Sequence, residues 1–134
     1  MSKFSSTKYL FVYVLLFHFV SSEEKYYIQY GQNKWEITLN DSENAQKLKQ
    51  KIKENNNSYN IEVSMYMSTY LEFLIFNVFS STTSSGTFNP GSIVCSQDFL
   101  YYIKDVISLD YSQQIGQVID VDGFNNDINK NIST

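Results

Sequence analysis

The 134-residue chain predicts a mainly β protein, a closed β-barrel with one clear α-helix. Three observations predict it. Apolar and polar residues alternate in several short runs. Turn-forming residues recur between those runs at barrel-like intervals. A single stretch has helical spacing behind a capping signal. Short strands at such intervals close into barrels, which leave no free sheet edge.

The chain opens with the three parts of a secretion signal. Lys3 and Lys8 supply positive charge, Tyr9 to Val20 (YLFVYVLLFHFV) is continuously apolar, and Val20-Ser21-Ser22 suits cleavage. The apolar run has 12 residues, short for a membrane-spanning helix. The expected division is residues 1–22 as signal peptide, 23–124 as the folded domain and the Asn-rich 125–134 as a disordered tail. The expected location is secreted or in the secretory lumen. A membrane is a partner only if the leader is retained as an anchor.

Within the domain, Tyr26, Ile28 and Tyr30 alternate with polar residues, as do Trp35, Ile37 and Leu39, and Gly31-Gln32-Asn33 joins them. This predicts a hairpin. Asp41 or Ser42 then caps a helix whose buried face is Ala45, Leu48 and Ile52. Lys47, Lys49, Lys51 and Lys53 cover the solvated face and complement the helix dipole, and Glu54 to Asn57 ends it. Ile61, Val63 and Met65 mark another strand, and Leu71 to Phe79 reads as a buried strand, with a short helix as the alternative. Ser80 to Gly86 is a flexible polar loop, Asn89-Pro90-Gly91 is a turn, and strands follow at 92–97, 99–104 and 115–121.

Removal of residues 1–22 leaves 112 residues with eight lysines against fourteen acids, a net charge of −6. No arginine is present, and the lone His18 lies in the leader. An acidic surface without arginine excludes nucleic acid as a primary partner. The inventory also lacks the groups most used for proton transfer and anion clamping. Cys95 is the only thiol, so no internal disulfide forms. It is in phase with Ile93 and reads as buried and inert; the alternative is an intermolecular disulfide. Asp120-Val121-Asp122-Gly123 lacks the ligand spacing of an EF-hand and reads as a solvated turn. No metal site and no cofactor are expected.

Three blocks resemble the cyclophilin-like domain family of small microbial barrels. The first is Trp35 to Ala45 (WEITLNDSENA), a strand ending in Thr-Leu before an Asn/Asp turn and a helix start. The second is Pro90-Gly91-Ser92-Ile93-Val94, followed by Gln97-Asp98 and the aromatic strand Phe99 to Ile103. The third is Ser108 to Gln114 leading into Ile115-Gly116-Gln117-Val118. The resemblance spans about Trp35 to Phe124 and implies a cyclophilin-like closed barrel. The family's second block has Asp where this chain has Ser92. True cyclophilins isomerise prolyl bonds with an active-site arginine, which this chain lacks; lysine cannot reproduce its planar fork of donors.

The expectation is therefore a secreted non-catalytic binding module whose partner is an unidentified protein, peptide or small molecule. The alternatives are a residual prolyl isomerase, a carboxylate-based hydrolase or an extracellular structural protein. Tyr66, Tyr101 and Tyr111 are the candidate binding surface, since tyrosine combines a large contact area with a polar tip. Asn40, Asn56 and Asn131 begin Asn-x-Ser sequons and are the candidate glycosylation sites.

Overall fold

The computed structural model describes residues 13–19 and 24–132. Among the described residues, ten strands and two helices follow in chain order. They are β1 (Tyr13–Phe19), β2 (Lys25–Tyr30), β3 (Asn33–Leu39), α1 (Glu43–Glu54), β4 (Ser58–Tyr66), β5 (Tyr70–Leu74), β6 (Gly86–Phe88), β7 (Ser92–Cys95), β8 (Phe99–Ile103), β9 (Ile107–Leu109), β10 (Gln113–Val118) and α2 (Val121–Ile132). Eight strands close an antiparallel barrel in the order β1-β2-β3-β10-β7-β8-β5-β4, while β6 and β9 form a separate pair. The closed mainly β barrel agrees with the class read from the sequence.

Local chemistry sets the corners. Tyr30 pairs with Asn33 across a two-residue turn, and Gly31 takes φ 63°, the left-handed first position of a type II′ hairpin. In the Asn89-Pro90-Gly91-Ser92 turn, the Ser92 amide donates to the Asn89 carbonyl at 3.1 Å and Gly91 has φ 95°. Proline then glycine at the two central positions suits a type II turn. Ser42 caps α1 by accepting from the Ala45 amide, and Asn40 Oδ1 in turn accepts from the Ser42 amide and hydroxyl. Asn56 and Asn57 both take positive φ, 60° and 64°, reversing the chain from α1 into β4. Asparagine tolerates that region better than other non-glycine residues.

One hydrophobic cluster fills the barrel. It joins inward residues of the eight barrel strands to Ala45, Leu48 and Ile52 of α1 and to Phe124 and Ile128 of α2. A smaller cluster of Phe88, Val94 and Ile103 lies under the β6–β9 pair, with Tyr70, Tyr101, Ile107 and Leu109 packed on it.

The structure differs from the sequence reading in three places. Where a disordered tail is expected from residue 125, α2 continues to Ile132. Phe124 and Ile128 lie one turn apart on its inner face, and both are fully buried. Apolar burial outweighs the weak helix propensity of its asparagines. The run Leu71 to Phe79 is a strand only to Leu74. Beyond it, the Ile75 amide donates to the Asp98 carbonyl and Asn77 takes φ 61°, which ends the ladder. Residues 13–19 of the expected leader's apolar run form β1, and His18 is buried there. Lys3, Lys8 and the expected cleavage position, Val20 to Ser22, lie outside the described residues.

Candidate functional site

The barrel interior is filled by its core, which leaves concave sites to its surface. A groove of about 290 Å³ lies beside the β7–β8 turn, lined by Ser81, Thr82, Ser96, Gln97, Asp98, Phe99 and Tyr111. Four hydroxyl or amide side chains, one carboxylate and two aromatic rings therefore converge, with no cation among them.

Each wall is held from behind. The Ser96 amide donates to the Phe99 carbonyl at 3.0 Å, closing the tight turn that carries Gln97 and Asp98. The polar loop after Ser80 is tied at two points. Buried Asn44 of α1 accepts from the Ser80 amide at 2.9 Å and donates to the Ser80 carbonyl at 3.1 Å. Farther along, the Ser112 amide donates to the Ser84 carbonyl at 2.8 Å, and its hydroxyl donates to the Asp110 carbonyl at 2.9 Å. The loop expected to be flexible is thus anchored to the helix at one end and to the Tyr111 turn at the other.

Tyr111 is the most unusual residue of the groove. Its backbone has φ 51°, and its side chain is 68% exposed. A left-handed L-residue costs about 1–2 kcal/mol. Exposure of the ring returns none of that through burial, so the turn presents an aromatic face to solvent at a net cost.

Of the three candidate tyrosines, Tyr111 lines the groove and Tyr101 stands beside it. Tyr101 stands on β8 with its ring 6.2 Å from that of Phe99, one of the groove's lining residues. Burial raises the Tyr101 phenol above its ordinary pKa. Tyr66 is elsewhere: it packs on the main core, its hydroxyl 3.4 Å from that of Tyr30. Sequence reading missed Ser81, Thr82, Ser96, Gln97, Asp98 and Phe99 as site residues. Their only signal was turn composition, which marks a corner without saying what gathers at it.

The chemistry-bearing residues outside the groove have structural duties. Cys95 is fully buried, and burial pushes its thiol up to about 12, with an Asn44 hydrogen bond acting in the opposite direction. A thiol so placed holds its proton and meets no second chain. Native protein at pH 8 is expected to leave a disulfide reagent such as Ellman's unconsumed, then to react with one equivalent on unfolding in urea. Prompt reaction of the folded protein would contradict this placement.

Asp120 accepts from the Gly123 amide at 3.0 Å and so caps α2. Among the described residues, no group of three or more His, Cys, Asp or Glu is placed to hold one metal ion. Ser92 is 4% exposed, so an aspartate at this position, as in the family block, would put a carboxylate into a buried site.

The sequons differ in accessibility. Asn56 is exposed at the α1–β4 turn. The Asn40 amide is exposed but donates to the Gln114 carbonyl at 3.0 Å, a bond that competes with modification. Asn131 lies in α2, and its side chain and Ser133 fall outside the described residues. Comparison with known proteins found no matching family model, no matching curated protein and no matching solved structure.

Proposed function

We propose that the chain is a secreted, non-catalytic binding module with a cyclophilin-like barrel, and that it takes its ligand at the Tyr111 groove. The observation that carries this is Tyr111 itself, an aromatic face held out to solvent on a strained turn beside a row of hydrogen-bonding side chains. Exposed aromatics beside hydroxyl and amide groups suit ligands with one apolar face and many polar edges, such as a glycan or a peptide. Among the described residues, Asp98 is the only carboxylate lining the groove, whereas glycoside hydrolysis ordinarily uses two facing carboxyl groups. The absence of arginine removes the donor on which cyclophilin-type isomerisation turns.

The test is a glycan and peptide array probed with wild-type protein and with Tyr111→Ala. Loss of a central aromatic anchor typically costs about 2 kcal/mol or more, so affinity for the captured probe should fall at least ~10-fold. The fold should be unaffected, because the side chain is exposed. Equal binding by both proteins, or catalysis in a prolyl-isomerisation assay, would sink the reading.

A further inference from the structure

The segment that reads as a secretion leader and the strand that closes the barrel are the same residues. β1 makes six residue pairs with β2 and five with β4, antiparallel to both. Its inward side chains are Val14, Leu16 and His18, at 0%, 1% and 7% exposure. Val14 pairs with Tyr30 and Ile61, and Leu16 with Ile28 and Tyr59. His18 stacks on Tyr26 with ring centroids 4.7 Å apart, and its Nε2 is 3.6 Å from Glu24 Oε1.

We propose that processing after residue 22, which rests on the secretion reading above, opens the barrel between β2 and β4 and leaves a docking slot for an extended strand of a partner protein. The strand the slot accepts carries apolar side chains at two alternate inward positions and an imidazole or basic group at the third.

The geometry keeps the slot from sealing itself. Two strands that are both antiparallel to a third are parallel to each other, so β2 and β4 run in the same direction. They stand two strand spacings apart, about 9.5 Å. Direct closure needs a parallel ladder, with slanted bonds in a different register. It also needs a narrower barrel, although the core side chains of the seven remaining strands and two helices still occupy the interior. What remains is a row of unpaired backbone amides and carbonyls on each side of an apolar cleft. An inserted strand satisfies both rows at once, the general mode of β-strand addition.

The slot also specifies its occupant. Ile28, Tyr30, Tyr59 and Ile61 wall the two apolar positions. At the third position, neither His18 ring nitrogen nor the Tyr26 hydroxyl has a hydrogen-bond partner among the described residues, although all are buried. The Glu24 carboxylate stands at that end and is shared with Lys53 at 3.6 Å. A cationic side chain there complements the carboxylate; an acidic one is repelled.

The test begins with the full chain expressed in a eukaryotic secretory host and an intact mass of the secreted product. The product is then titrated with a synthetic peptide of residues 14–19 flanked by lysines, followed by Trp35 fluorescence and thermal melting. Trp35 is a suitable reporter because it pairs with Ile28 of β2. The expected result is a product that begins at residue 23, binds the peptide saturably and melts higher with it. A control peptide with aspartate in place of Val14 and Leu16 should bind at least tenfold more weakly, since it would bury two unpaired carboxylates in the apolar cleft. Glu24→Gln should weaken the histidine peptide while leaving one with valine at that position unchanged. A processed product that folds only on peptide addition also supports the slot.

A secreted product that retains residues 13–19 overturns the proposal. So does a processed product that ignores the peptide, whether it is a folded monomer, a strand-exchanged dimer or unfolded with and without it. None of these outcomes bears on the Tyr111 groove, which the array reads separately.

Discussion

Phe124→Ala is expected to cost about 3–5 kcal/mol, the range for removing a large aromatic from a packed core. Phe124 is fully buried near the start of α2. Its ring lies 4.6 Å from Tyr102 and 6.3 Å from Tyr30 in edge-on contacts, and 5.9 Å from Trp35 in a tilted one. Truncation leaves three aromatic rings facing a void that rigid barrel walls cannot close. The same helix brings two polar anchors to the barrel. Asn125 Oδ1 accepts from the Tyr102 hydroxyl at 2.6 Å, and Asp127 accepts from the Trp35 indole at 3.0 Å and from the Asn33 amide at 3.2 Å. Loosening α2 therefore exposes buried hydrogen-bonding groups as well as apolar surface. Denaturation monitored by far-ultraviolet circular dichroism should show a fall in Tm of at least about 10 °C. A loss below about 0.5 kcal/mol would mean that this C-terminal segment is dispensable, as the composition of residues 125–134 suggests.

Gly116→Ala is expected to be comparably severe, about 3 kcal/mol or more, because it overpacks a site with no room to yield. Gly116 sits where β10 crosses from β7 to β3. It pairs with Leu39 on one side and Ile93 on the other, next to a register shift after Gln114. A Cβ at this position would overlap the Thr38 carbonyl oxygen and press on Leu39. The obstacle is backbone, so relief requires β3 and β10 to separate. Their seam is one of the shorter ones, with three paired residues. Little soluble protein, or a urea midpoint far below wild type, is the expected outcome. Wild-type stability would show that the seam is wider than the structure gives it.

Much of the fold was legible in local chemistry. The hairpin from Tyr26 to Leu39, helix α1 with its Ser42 cap and the Asn-Pro-Gly turn all follow from signals within a few residues. Their physical causes are short-range: side-chain alternation, a capping oxygen and a residue tolerant of positive φ. Helix α2 also had a periodic signal, with Val121, Phe124 and Ile128 at one spacing, but its asparagine content pointed to disorder. Burial against Tyr30, Trp35 and Tyr102 decided the matter. The three-residue strands β6 and β9 carry no periodicity long enough to detect. They exist because Phe88 and Ile107 cover Val94 and Ile103 on the outside of the barrel.

The candidate site was legible only in fragments. Tyr111 was singled out for its residue type, and Tyr101 reaches the same groove only through its ring contact with Phe99. Tyr66 shared that type and went elsewhere. Residues 81–82, 96–99 and 111 converge because Asn44 and Ser112 tie one loop to α1 and to the Tyr111 turn. Those contacts span up to 36 positions in the chain. No window of sequence contains them.

The sequence by itself determined the class of the fold, its acidic character, the lack of arginine and the corners at which the chain turns. These depend on composition and on neighbours a few residues apart. Tertiary structure alone decided which strands meet, that an apolar run with a leader's composition seats as strand β1 in the full chain, and that Tyr111 stands out beside a polar groove. The reason is that hydrophobicity states how strongly a segment avoids water but not where it goes. A leader bound for a membrane and a strand bound for a core are equally apolar; while the segment is present, pairing with β2 and β4 seats its residues 13–19 as a strand.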